Sequence, residues 1–177
     1  DILYTSGLPR DRCFFIMPEN LELASKVVQD ERIDFFSFIG SAKVGWMLRT
    51  KISSGTRCAL EHGGMAPTFL TQTGDLVNAS KLLTKGAFYH AGQVCVSVQR
   101  IFVHKKVYDD FMDLFKKNIN DMKIGDPLRK ETQIGPLIRP SEVNRVESWV
   151  TESVNNGAKL LCGGKRVSDT CYDKTVL

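Results

Sequence analysis

Three consecutive stretches near the start of the chain constrain its fold more than any other feature. Cys13-Phe14-Phe15-Ile16-Met17 is a short, almost wholly apolar run closed by Pro18, which predicts a buried strand. Leu21, Leu23, Ala24, Val27 and Val28 then recur at helical spacing between Glu19 and Gln29, predicting a helix with one face covered. Ile33 to Ile39 is again apolar and of strand length before Gly40-Ser41 breaks it. Strand, helix and strand in about 30 residues is the pattern of a parallel α/β unit, because parallel strands need a crossover long enough to hold a helix.

The same alternation continues. Ser41 is placed to cap a helix through Val44, Trp46, Met47 and Leu48 to about Thr50. Strand character returns from Thr56 to Leu60 and ends at Glu61-His62-Gly63-Gly64, with a further short apolar segment at Pro67 to Leu70. Asp75 caps a helix carrying Leu76, Ala79, Leu82, Leu83 and Phe88, and Arg100 to His104 reads as a strand. Val107, Phe111, Leu114, Phe115, Ile119 and Met122 form the clearest amphipathic face, with Asp109 and Asp110 at the helix start as the dipole prefers. Ser141 is expected to cap a last helix ending at Asn156-Gly157, and Ala158 to Cys162 to form a final strand.

Charge and cysteine usage exclude several classes. With 24 basic and 20 acidic residues the net charge is only +4, and there is no like-charge block, so nucleic-acid binding is not expected. No apolar run approaches the roughly 18 residues of a membrane span, and no signal peptide opens the chain, so no membrane partner is expected. The five cysteines, at 13, 58, 95, 162 and 171, form no C-x-x-C pair and no zinc spacing with His62, His90 or His104. A reducing, cytoplasmic setting and no metal site follow as expectations. The start at Asp1 and the stop at Thr175-Val176-Leu177 in mid-pattern suggest an internal fragment.

Chemistry gathers around three places. Cys95 follows Ala91-Gly92, which leave room for a substrate, and a loop-to-helix junction there could supply N–H groups favouring the thiolate. A free cysteine is also among the commonest buried small residues. Glu61 stands at a strand end before two glycines, where desolvation would suit it to general-base work, although strand-end glutamates are usually solvated. Gly40-Ser41-Ala42-Lys43-Val44-Gly45 lies where a strand hands over to a helix, a natural anion seat, without being a Walker loop or a full G-x-G-x-x-G. Lys43, Arg49, Lys51 and Arg57 lie in an acid-free stretch around it. His62 or His90 paired with Cys95 would make a Cys/His hydrolase, but neither has an orienting Asp or Asn.

Phe38-Ile39-Gly40-Ser41 with Val44-Gly45, Leu60-Glu61-His62-Gly63-Gly64, Gly92-Gln93-Val94-Cys95, Gly125-Asp126-Pro127 and Gly135-Pro136 together resemble the successive signatures of NAD(P)-dependent aldehyde dehydrogenases. The resemblance implies an α/β, aldehyde dehydrogenase-like fold: the end of a Rossmann-type cofactor domain over residues 1–62, then the first part of an α/β catalytic domain over residues 63–177. It implies Cys95 as nucleophile and Glu61 as the base that activates the deacylating water. Ser41 would contact a phosphate of NAD or NADP, Gly40 and Val44 would lie against its adenosine, and Gly63 and Arg145 are further cofactor candidates. The substrate would be a small aldehyde or semialdehyde, oxidised to its acid by a parent enzyme that is a homodimer or homotetramer. Because family members are much longer, the isolated fragment is expected to be inactive.

Two positions depart from the family pattern. His62 stands where leucine is usual, and His90 where asparagine is common two residues before the glycine of the cysteine signature. A competing reading is a non-catalytic α/β binding or assembly domain that keeps Cys95 without using it.

Overall fold

A computed structural model describes all residues from Asp1 to Leu177. The chain forms two compact units, Asp1–His62 and Gly63–Leu177.

In the first unit the short α1 (Ile2–Thr5) is followed by α2 (Leu21–Val28), β1 (Phe35–Ile39), α3 (Ala42–Arg49) and β2 (Arg57–Glu61). The two strands are parallel, in register from Phe35↔Arg57 to Ile39↔Glu61, and α3 is their crossover. Polar side chains start both longer helices. Asn20 Oδ1 accepts from Leu23 N at 3.0 Å, and Ser41 Oγ accepts from Val44 N at 3.3 Å, each satisfying one of the free N–H groups of a first turn.

The expected strand at Cys13–Met17 does not form. Phe14, Phe15, Ile16 and Met17 are 65–88% exposed and have no strand partner. The face of α2 that periodicity marks as covered is also open, with Leu21, Leu23 and Val27 exposed and no α2 residue buried. Apolar patterning identifies the face that must be covered; it does not supply the layer that covers it.

The second unit contains β3 (Thr68–Leu70), α4 (Leu76–Phe88), β4 (Ile101–Val103), α5 (Tyr108–Asp121) and α6 (Pro140–Asn155). β3 and β4 are parallel, Thr68↔Ile101 to Leu70↔Val103, with α4 between them in sequence. Leu70, Leu83, Phe111, Met112, Phe115 and Ile119 form the core, extended by Leu76, Ala79, Phe88, Val98 and Val176. Asp75 caps α4 as expected, Oδ1 accepting from Asn78 N at 3.0 Å. One polar link crosses the α4/α5 contact: Asn118 Nδ2 donates to the buried Ser80 Oγ at 2.9 Å.

Two expectations shift in this unit. Arg139, rather than Ser141, is the N-cap of α6, and Pro140 takes the first helical position, where its fixed φ fits and its missing N–H costs nothing. Ala158–Cys162 is not a strand. It makes a single antiparallel bridge, Cys162↔Val176, supported by Leu161 N donating to Val176 O at 2.8 Å.

Candidate active site

The segment around Cys95 is shaped by the end of α4. Tyr89 leaves the helix with φ −61° and ψ 146°, and three left-handed residues follow: His90 (φ 50°), Ala91 (φ 55°) and Gly92 (φ 71°). A left-handed residue with a side chain costs about 1–2 kcal/mol, except for the few types that tolerate the region. Histidine, like asparagine, is enriched there. The departure from the family asparagine at His90 therefore preserves the backbone requirement. The His90 ring packs on Tyr89 with centroids 5.0 Å apart.

Cys95 does not stand at the start of a helix. It occupies a tight turn closed by Ser97 N donating to Val94 O at 3.0 Å, so no helix dipole acts on it from this segment. The Cys95 side chain is exposed, and its own N–H donates to no backbone acceptor. Ser97, only 1% exposed, is the buried foot of the turn, and its Oγ has no partner. Val98 N then donates to Gly86 O at 3.1 Å and Gln99 N to Met65 O at 3.0 Å, fixing the exit of the turn to α4 and to the segment before β3.

Gly64 explains one of the paired glycines. A Cβ there would come within 2.7 Å of the Cys95 carbonyl oxygen, so the backbone reaches Cys95 only because residue 64 lacks a side chain. Gln99 Nε2 donates to Gly64 O at 3.0 Å and holds the approach. Gly63 meets nothing within 4 Å, so packing makes no such demand on it.

In the first unit, Glu61 ends β2 opposite Ile39, and its carbonyl accepts from Gly40 N at 3.0 Å. The carboxylate is exposed, so the expected desolvation at the strand end is not supplied by this unit. A side chain at Gly40 would meet the Phe38 ring. The first turn of α3 carries no acidic residue and includes Lys43. Ser41 Oγ uses a lone pair toward Val44 N, leaving its O–H to donate outward, and Val44 is 39% exposed. This donor set suits a phosphate.

The remaining candidates are engaged locally. Arg145 pairs with Glu142, Nη2 to Oε2 at 2.6 Å, and its guanidinium lies 4.2 Å from the Trp149 ring centroid. Arg145 holds the Glu142 carboxyl below the usual carboxylate range. His62 Nε2 is buried without a partner against Gly45, and the ring lies 5.7 Å from that of Trp46. The side chain thus fills the place of an apolar residue, and no Asp or Asn orients it for catalysis. No group of three or more His, Cys, Asp and Glu is arranged to hold a metal, and no helix is long and apolar enough to cross a membrane.

Two parallel β-α-β units and an exposed thiol on a constrained turn define an α/β thiol-bearing fold, and its relatives are specific. The sequence profile of the aldehyde dehydrogenase family matches residues 1–177, and the chain belongs to that family. It is 37% identical over 167 residues to the 3-sulfolactaldehyde dehydrogenase of Priestia megaterium, covering 94% of this chain and 35% of that protein. The glyceraldehyde-3-phosphate dehydrogenase GapN of Methanocaldococcus jannaschii, solved in complex with NADP, superposes with a TM-score of 0.83 at 36% identity, covering 86% of this chain and 33% of that one. The succinate-semialdehyde dehydrogenase of Burkholderia pseudomallei gives 0.90 at 28% identity, covering 97% of this chain and 36% of that one. The α/β fold is therefore that of aldehyde dehydrogenases, and the chain spans about a third of the length of these relatives.

Proposed function

We propose that this chain carries the nucleophile, the deacylating base and part of the cofactor seat of an enzyme that oxidises an aldehyde or semialdehyde to its carboxylic acid. The observation carrying this reading is an exposed thiol on a fixed turn whose own N–H is free. As thiolate, Cys95 Sγ adds to the carbonyl carbon, and the electron pair of the C=O bond moves to oxygen. The free N–H of Cys95 donates to that oxyanion. NAD or NADP, when bound, supplies the hydride acceptor that turns the adduct into a thioester. The Glu61 carboxylate takes a proton from water as its oxygen attacks the thioester carbon; the C–S bond breaks, releasing acid and restoring the thiolate.

Residues 1–62 serve mainly the cofactor and residues 63–177 mainly the thiol, with the base Glu61 and the cofactor candidates Gly63 and Arg145 as the exceptions. Ser41 holds a phosphate of NAD or NADP through its outward O–H, Gly40 and Val44 border the adenosine, and Gly63 belongs to the same seat. Arg145 reaches the cofactor only if it gives up Glu142 and Trp149. The parent enzyme is a cytoplasmic homodimer or homotetramer, and these 177 residues alone turn over no aldehyde.

Alkylation of the folded chain with iodoacetamide, resolved by cysteine, tests the nucleophile. Cys95 should react much faster than Cys13, Cys58, Cys162 and Cys171. Equal rates would favour a non-catalytic domain. In an intact enzyme carrying this segment, Cys95→Ala should abolish turnover, while Glu61→Gln should leave a burst of NADH and slow the steady-state rate after it.

A further inference from the structure

We propose that Gln93 is a positioning residue for Cys95, clamping the nucleophile turn to the segment that leads into α6. The proposal rests on the assignment of Cys95 as nucleophile. The Gln93 side chain uses both ends of its amide. Nε2 donates to His90 O at 3.1 Å and to Pro136 O at 3.3 Å, while Oε1 accepts from Ile138 N at 2.9 Å. Pro136 and Ile138 are two residues apart, so the one amide pairs with alternate backbone groups as a neighbouring strand would. The intervening Leu137 N donates the other way, to Thr170 O at 2.7 Å. Residues 136–138 are thus gripped from both sides, one residue before the Arg139 cap of α6, whose Val143 is fully buried.

Gln93 also closes the left-handed turn from which Cys95 emerges. Its backbone N–H donates to His90 O at 3.1 Å, the carbonyl that its side chain also reaches. Three successive left-handed residues are an unfavourable path for a free loop and persist only where the surroundings hold them. Downstream of Cys95 the hold comes from Gln99 on Gly64 and Met65; upstream it comes from Gln93. Glutamine satisfies the geometry because the site needs a donor and an acceptor on one planar group. A carboxylate keeps the acceptor and loses the donor, and a thioether of the same length keeps neither.

The test compares Gln93→Met and Gln93→Glu with the parent chain by two readouts. One is hydrogen exchange at the Ile138 amide; the other is the alkylation rate of Cys95 relative to Cys171 and to Cys95 in urea. Gln93→Met should lose Ile138 protection, by about fivefold for one hydrogen bond, and Cys95 should slow toward its rate in urea. Gln93→Glu should keep Ile138 protected and retain part of the Cys95 rate, a graded rescue that a general loss of packing does not produce. Should Gln93→Met fail to fold, the Gln93→Glu comparison carries the same test. Loss of Ile138 protection with an unchanged Cys95 rate overturns the positioning role, as does no change in either. If Cys95 in the parent reacts no faster than in urea while Ile138 stays protected, the nucleophile assignment itself fails, and the positioning role falls with it.

Discussion

Replacing Gly64 with alanine tests how the cysteine turn is held. The added methyl would sit 2.7 Å from the Cys95 carbonyl oxygen, closer than a carbon and an oxygen pack, and the neighbour is backbone, so no rotamer change relieves it. Overpacking of this kind costs about 1–3 kcal/mol. The substitution also stiffens the unfolded chain, which returns about 0.4–1 kcal/mol. A net loss of about 1–2 kcal/mol is expected, with the bonds from Gln99 to Gly64 and Met65 weakened as the backbones part. With urea slopes of about 1–3 kcal/mol per molar, the midpoint should fall by about 1 M. Gly63→Ala is the internal control. Nothing lies within 4 Å of its Cβ and its φ is not positive, so the midpoint should stay or rise slightly. Circular dichroism in urea measures both, and alkylation of Cys95 reports the local effect. Equal midpoints for the two variants would refute the close-approach argument.

Two further outcomes concern groups outside the thiol turn. His62→Leu removes a buried nitrogen that has no partner, so stability should be unchanged or rise by up to about 1 kcal/mol in urea denaturation, and a loss of about 2 kcal/mol or more would mean that Nε2 is satisfied. Burial pushes the Cys162 thiol above its ordinary value of 9.0, so the folded state binds this proton more tightly than the unfolded state. The resulting stability is full below that value and is lost as pH rises through the folded one. From about pH 9 upward the chain should therefore lose stability that Cys162→Ala does not lose, and parallel losses in the two proteins would contradict the assignment.

Local interactions were legible in the sequence because they are made within a few residues. Ser41 and Asp75 cap the helices that follow them, and the apolar spacing of Val107 to Met122 marks α5. The order of the five signatures was enough to indicate the family. Pairing and covering were not legible, because they depend on what another part of the chain presents. Cys13–Met17 has strand composition and no strand to join; Ala158–Cys162 finds only the short partner at Val176. The thiol turn divides along the same line. Sequence alone determined a cysteine beside glycine, a glutamate before two glycines, and a serine at a helix start. Tertiary structure decided that Cys95 rides on a turn instead of a helix end, that Gly64 is small because the Cys95 carbonyl lies against it, and that Gln93 grips a segment more than forty residues away. Those contacts join residues distant in sequence, and no local spacing encodes them.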